Sequence, residues 1–184
     1  KRAVGGAHHL GTFTQGAEEA GVDAYGWQTG AAAGDLNNDG WPDLFVAGYV
    51  DLNNRIPDAT TGFPNTHIGR RDLLYLNQGP DGSGKTTFRE VGIEAGLEAD
   101  NYEYGLGALL SDLDRDGDLD LLVANDTNPN RLYENIPWPG GPAADPEGIG
   151  FRFAEVGGYA DIDDDNSGMG VASGDYDGDG RFDL

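Results

Sequence analysis

The feature that most constrains this chain is a nine-residue acidic loop, D-x-[DN]-x-D-G-x-x-D, that occurs three times, at residues 35–43, 112–120 and 175–183. Oxygen-bearing side chains at loop positions 1, 3, 5 and 9 are the ligands that a hard cation requires, and glycine at position 6 permits a sharp reversal of the chain. Carboxylates at this density repel one another until a divalent ion neutralises them. The loops therefore predict calcium sites, about three ions in all, that are also elements of the fold.

Two kinds of ligand are expected in each loop. The side-chain ligands are those at positions 1, 3, 5 and 9: Asp35, Asn37, Asp39 and Asp43; Asp112, Asp114, Asp116 and Asp120; Asp175, Asp177, Asp179 and Asp183. Position 7 would supply a backbone carbonyl oxygen, which leaves its side chain free to vary, and it is occupied by Trp41, Asp118 and Arg181.

The residues after each loop distinguish these sites from the helical EF-hand. An EF-hand has glutamate at position 12, whereas here that position is Val46 in the first copy and Val123 in the second. An apolar, partly β-branched run comes after the ninth-position Asp, at residues 44–47 and 121–124, and this pattern is typical of a buried strand. The loops are predicted to join strands.

The loops belong to a larger repeat. A small-residue segment precedes each loop, at 26–34, 105–111 and 168–174, and is predicted to be an innermost strand where sheets approach closely. A Leu-Tyr-x-Asn strand and a Phe-anchored fourth strand come after the loop in each full unit. Four antiparallel strands per unit predict an all-β fold, a β-propeller of which this chain is a partial segment.

The predicted segment contains about two whole blades and parts of two more. Residues 1–25 would end one blade, 26–97 and 98–162 would form two whole blades, and 163–184 would begin another. Because about four to eight blades close a ring, the chain is expected to be a segment of a longer protein or to be completed by other copies. The segments of variable length, 51–71 and 137–150, are expected to be connecting loops that determine the partner.

Charge limits the classes of partner. Lys and Arg number 11 against 33 Asp and Glu, which gives a formal charge of −22, and three calcium ions would bring it to about −16. Nucleic acid and anionic membranes are therefore excluded as expected partners. The sequence has no cysteine and no apolar stretch of transmembrane length, and any targeting peptide would lie outside it.

Two other motifs need a structural context to be functional. Residues 79–86 satisfy the phosphate-loop pattern G-x-x-x-x-G-K-[ST], but the residues after it alternate as a strand does, not as the required helix. Trp41 and Trp138 are candidates for a sugar-stacking platform, whereas Trp27 is predicted to lie in the core.

The segments 25–47 and 104–125, each an inner strand, an acidic loop and an apolar strand, resemble the FG-GAP/VCBS repeat. That family includes the propellers of integrin α-chains and many secreted bacterial proteins similar to the cartilage-acidic-protein group. The resemblance implies a seven-bladed propeller with calcium in the loop between the first and second strands, bound by the residues given above. Neutral Asn37 implies weaker binding at the first site.

The resemblance and the loops together indicate a secreted or cell-surface protein that is not an enzyme and acts in adhesion, binding a protein or glycan ligand on its loop face. One alternative is a structural subunit that self-assembles with neighbouring copies in an extracellular filament or surface assembly. Another is the propeller part of a larger secreted enzyme that acts on polysaccharides. Either alternative keeps the three calcium loops.

Overall fold

The computed structural model describes residues 14–97, 102–164 and 166–184. Strands dominate them, with two four-residue helices, α1 (Ala17–Ala20) and α2 (Gly157–Ala160), and a 3₁₀ turn at Pro142–Ala144. The strands are β1 (Gln28–Gly34), β2 (Asp43–Gly48), β3 (Val50–Arg55), β4 (His67–Gly69), β5 (Leu73–Pro80), β6 (Thr86–Glu90), β7 (Gly105–Ser111), β8 (Asp120–Asn125), β9 (Arg131–Pro137) and β10 (Phe151–Glu155). Neither described helix has the length or the apolar content to cross a membrane.

Two four-stranded antiparallel sheets form the body of the protein. The first has the order β1-β2-β5-β6 and the second has β7-β8-β9-β10. Gly34 pairs with Asp43 in the first and Ser111 pairs with Asp120 in the second, so an acidic loop closes the first hairpin of each sheet. The all-β class and the four antiparallel strands per unit are confirmed. The blade boundaries stay a prediction, and residues 1–13 of the expected preceding blade lie outside the described residues.

The hydrophobic core lies between the two sheets. Alternate residues of β2 and β8 face it, including Phe45, Leu121 and Val123, none of which is exposed to solvent. The aromatic rings of Tyr133 and Phe153 close the core from the second sheet, with their centroids 5.8 Å apart. Every residue of β8 is buried, and every residue of β2 is buried or half-buried, so both faces of these strands are covered. This explains why the second strand of each full unit is an apolar run.

Close approach of the inner strands is confirmed, and it requires glycine. A Cβ atom built on Gly30 of β1 would lie 2.9 Å from the carbonyl oxygen of Leu106 in β7. On the other side of β7, a Cβ on Gly107 would lie 3.1 Å from the Cα of Gly170 in the third unit. The three small-residue segments therefore lie side by side.

The third of these segments differs from the prediction. Residues 168–174 do not form a strand, and one isolated bridge joins Gly174 to Asp183. In the other two units the equivalent pairs, Gly34 with Asp43 and Ser111 with Asp120, are the first of a continuous ladder. In the third unit the bridge between Gly174 and Asp183 is the part of that ladder that forms.

The segment 51–71 is also more ordered than predicted. It was expected to be a connecting loop, but β3 and β4 pair within it as a separate two-stranded antiparallel sheet. Residues 86–90 form strand β6, as the alternating pattern indicated. A strand, not a helix, therefore follows the phosphate-loop pattern at 79–86. Because that pattern binds phosphate only when a helix follows it, the phosphate-loop interpretation is excluded.

Replacing Gly30 by Ala tests the close approach of β1 and β7. We expect Gly30→Ala to lower the free energy of unfolding by about 1–3 kcal/mol, because the new methyl group meets backbone that cannot turn away. Denaturant-induced unfolding measures the change. Gly62→Ala is the matched control, since a Cβ at Gly62 meets nothing within 4 Å. Equal stability of the two variants would contradict the observed packing of the inner strands.

Candidate metal centre

The three acidic loops share one backbone conformation. Position 6 is left-handed, with φ of 92° at Gly40, 99° at Gly117 and 79° at Gly180, which is the reason that glycine is required there. Position 4 is left-handed as well, at Asn38, Arg115 and Gly178. This second reversal was not predicted from the sequence, although Asn and Gly, which occupy two of the three position-4 sites, tolerate it better than other residues.

The first-position Asp folds the loop around its own carboxylate. Asp35 accepts hydrogen bonds from the backbone N–H groups of Asp39 at 3.0 Å and Gly40 at 2.8 Å. Asp175 accepts from the N–H groups of Gly178 at position 4, at 2.8 Å, and of Gly180 at position 6, at 2.9 Å. These bonds turn the carboxylate toward the inside of the loop.

The second loop contains an unsatisfied carboxylate oxygen. Oδ1 of Asp112 is buried and has no hydrogen-bond partner. Ligand oxygens of Asp112, Asp114 and Asp116 lie within 4.8 Å of one another. A buried, uncompensated carboxylate oxygen is costly, and a bound cation removes that cost. The residues of this loop therefore fit a calcium ion.

The other two loops fit the ion in part. In the third, oxygens of Asp175, Asp177 and Asp183 lie within 4.8 Å of one another, while Arg181 pairs with Asp179 at 2.7 Å. In the first, the amide of Asn37 takes the third position and donates to Asp39 at 3.1 Å. Asn37 brings no charge, and that the first site binds calcium more weakly stays a prediction.

The ninth-position Asp has a structural role besides its predicted role as a ligand. Asp43 is fully buried, and its two oxygens accept from the N–H groups of Leu36 and Asn77, both at 2.9 Å. Asp120 accepts in the same way from Leu113 at 2.9 Å and Asn135 at 3.0 Å. Each carboxylate thus joins the start of its loop to the third strand of its sheet.

Burial disfavours the ionised form of the ninth-position carboxylates. It raises the pKa of Asp43 to about 6, although the hydrogen bonds from Asn77 and Leu36 act in the opposite direction. Burial raises the pKa of Asp120 as well, and Asp114 and Asp116 add to the effect by repulsion. A cation in the loop would favour the ionised form of both.

The Asn of the Leu-Tyr-x-Asn motif holds the loop in place. The side-chain Nδ2 of Asn77 donates to the carbonyl of Pro42 at 2.9 Å, and that of Asn135 donates to the carbonyl of Leu119 at 3.2 Å. Asn135 also donates to the carbonyl of Leu36 in the preceding unit at 2.9 Å. The motif was apparent in the sequence, but this role was not predicted. The available signal was the recurrence of Asn at the same place in the third strand of both full units.

The three loops form a continuous acidic rim. Asn38 of the first loop donates to Asp118 of the second at 2.6 Å. Arg115 of the second loop donates to the carbonyl of Gly180 in the third. Neighbouring loops are therefore joined through their position-4 side chains, and the third unit is held against the second although it has no sheet of its own.

The side chains at position 7 differ, as predicted. Trp41 is 45% exposed, Asp118 accepts the bond from Asn38, and Arg181 pairs with Asp179. Each of the three donates its backbone N–H to the position-5 Asp of its own loop, at 2.8–2.9 Å. That their carbonyl oxygens bind the ion stays a prediction.

The three tryptophans considered for sugar stacking differ in their exposure to solvent. Trp41 lies on the acidic rim and remains accessible. Trp138 is partly buried against the core and donates its indole N–H to the carbonyl of Ala144 at 2.9 Å. Trp27 is 41% exposed, so its predicted place in the core was wrong. β1 begins one residue after Trp27, and the ring therefore lies at the end of the sheet.

Known proteins are similar to part of this chain. The chain is 31% identical over 117 residues to cartilage acidic protein 1 of Mus musculus and 32% identical to that of Homo sapiens, over 64% of this chain in each case. It spans only 14% of the length of these relatives. A family model described as an FG-GAP-like repeat matches residues 112–184, which include the second and third acidic loops. The resemblance found in the sequence is thereby confirmed for residues 112–184, which are similar to an FG-GAP-like repeat.

Proposed function

We propose that this chain is a calcium-stabilised segment of an extracellular β-propeller that acts as a non-enzymatic adhesion or ligand-binding module. The observation that carries the proposal is the second loop, where three carboxylates converge and one buried oxygen of Asp112 has no donor. Calcium there would supply the missing positive charge and would draw Asp112, Asp114 and Asp116 together. The ion would act by neutralising these carboxylates and so stabilising the fold.

The propeller architecture is supported by how the units meet. Two four-stranded antiparallel sheets face each other across one core, and their small-residue first strands lie side by side. Strands that converge in this way at a crowded axis are what consecutive blades require. The acidic rim places the candidate sites of successive units in a row along one edge.

An extracellular location agrees with the chemistry of the sites. Seven of the twelve side-chain candidates are exposed, and three more, Asp35, Asn37 and Asp112, are half-buried. Calcium sites of extracellular modules bind with Kd values of about 10⁻⁴–10⁻³ M, which suits open loops of this kind. The relatives bear the name cartilage acidic protein, and this chain shares the acidic composition, with a formal charge of −22.

Counting the bound ions tests the proposal. We expect about three calcium ions per chain at about 10 mM free calcium, and about two after Asp116→Ala, because the second loop loses the position-5 carboxylate that all three loops have. Equilibrium dialysis with metal analysis gives the count. Asp23→Ala is the matched control, since Asp23 is exposed and lies outside the three loops. A chain that binds no calcium at millimolar concentration would overturn the proposal.

A further inference from the structure

A second surface lies at the end of the first sheet that is remote from the acidic rim. β1 begins there at Gln28 and β2 ends there at Gly48, and the hairpin of β3 and β4 projects from the same end. A cavity of about 330 Å³ opens between this hairpin and the segment before β1. We call it the hairpin cleft, and its defining residues are Tyr25, Trp27, Gln28, Asp51, Asn53 and Arg70. Its volume is at the lower end of the usual range for small-molecule sites, roughly 300–1,000 Å³.

One side of the hairpin cleft is aromatic and exposed. Tyr25 is 82% exposed and Trp27 is 41% exposed. Trp27 is held from below by Tyr49, with ring centroids 5.2 Å apart in an edge-on arrangement, and from the side by Phe63 at 5.8 Å. Tyr49 is itself fixed, because it is buried and its hydroxyl donates to Asp126 at 3.1 Å. The exposed indole is thus a preorganised platform.

The other side is polar and carries compensated charge. Arg70 donates to the carbonyl of Tyr25 at 2.7 Å and lies 3.9 Å from Asp51. Asp51 also accepts from the backbone N–H of Asn53 at 3.0 Å. These bonds hold the polar groups in place but leave donors and acceptors unused, among them the side-chain amides of Gln28 and Asn53, for which no hydrogen bond within the described residues is found.

We propose that the hairpin cleft binds a neutral oligosaccharide, an inference that gives a ligand class to the binding function proposed above. Aromatic faces pack against the C–H surfaces of sugar rings, and side chains that both donate and accept match hydroxyl groups, which do the same. The paired charges of Arg70 and Asp51 provide no net charge for an ionic ligand. A polyanion would also be repelled by a chain with a formal charge of −22.

Isothermal titration of the 184-residue chain tests this inference, in millimolar calcium, with a defined panel of neutral hexasaccharides of glucose, mannose, xylose and galactose. At least one member is expected to bind, and Tyr25→Ala is expected to weaken its binding by about tenfold or more, which corresponds to about 1.4 kcal/mol. Asn53→Ala is expected to weaken it as well, through lost hydrogen bonds. Both residues are exposed, so both variants should fold.

The control separates the cleft from aromatic exposure in general. Tyr159 is 94% exposed and lies in the other unit, so Tyr159→Ala should bind the sugar as the unaltered chain does. Equal loss in Tyr25→Ala and Tyr159→Ala would overturn the inference, as would absence of binding by all four sugars at millimolar concentration. Capture of a peptide at the hairpin cleft with no sugar binding would overturn it too. If calcium still binds in any of these cases, the calcium-stabilised module stands and the sugar assignment alone fails.

Discussion

Removal of calcium with excess chelator, from a chain held in about 10 mM calcium, is expected to lower the free energy of unfolding by about 1.4–2.7 kcal/mol for each site with a Kd of about 10⁻⁴–10⁻³ M. This loss of stability would arise within the acidic loops themselves. The loops hold eleven carboxylates at ligand positions, and without a cation these repel one another at short range. In the second loop the buried oxygen of Asp112 would again lack any partner. Three filled sites would make this the largest single change expected for the protein.

Thermal unfolding in calcium and in chelator measures the effect, and addition of calcium beyond the chelator should restore the original midpoint. The sites can be separated with Asp112→Asn, which should reduce the contribution of the second loop to the calcium-dependent stability, because that loop then holds three carboxylates as the first loop does. Asp58→Asn should leave the calcium-dependent shift intact, since Asp58 lies outside the loops. Identical midpoints with and without calcium would mean that the loops are only turns.

Asp120→Asn is expected to destabilise the chain by about 2 kcal/mol even in chelator. Both carboxylate oxygens of Asp120 accept buried backbone N–H groups, from Leu113 in the loop and Asn135 in β9. The asparagine amide has one oxygen, so one N–H would face an NH₂ group and lose its acceptor. Burial raises the pKa of Asp120, which means that its negative charge is disfavoured in the folded chain. Asparagine removes that charge and so offsets part of the cost. The expected loss of stability therefore lies at the lower end of the range for a broken buried network.

Denaturant unfolding of Asp120→Asn in chelator gives the change without a contribution from metal. Asp118→Asn is the matched control two residues away, because Asp118 is only partly buried and its contact with Asn38 is solvent-exposed. That control should lie within about 0.5 kcal/mol of the unaltered chain. Equal stability of Asp120→Asn and Asp118→Asn would show that the ninth-position Asp does not join the loop to the third strand.

Much of the fold could be predicted because its determinants are local in sequence. Glycine at position 6 is needed by the loop itself, and the apolar runs of β2 and β8 are needed by strands covered on both faces. The small residues before each loop predicted the close approach of β1 and β7. The distance of 2.9 Å from a Cβ built on Gly30 to the carbonyl oxygen of Leu106 confirms it. Each of these signals occupies a few adjacent positions and recurs in another unit.

The features that could not be predicted depend on residues far apart in the chain. Asn135 binds the carbonyl of Leu36 across 99 positions, and no local pattern links the two. The exposure of Trp27 was missed because its place at the end of β1, beside Phe63 of an inserted segment, exists only in the folded chain. The hairpin of β3 and β4 was missed because its polar sequence has the composition of a loop.

The sequence by itself determined the acidic loops, the strands around them and the repeat, because the backbone reversals, the ligand types and the alternation of side chains are properties of contiguous residues. Only the tertiary structure decided how the loops join into one rim, why Asp43 and Asp120 are buried, and where the hairpin cleft opens. The physical reason is that burial, charge compensation and cavity shape arise when distant segments pack together, and none of these is a property of any one segment.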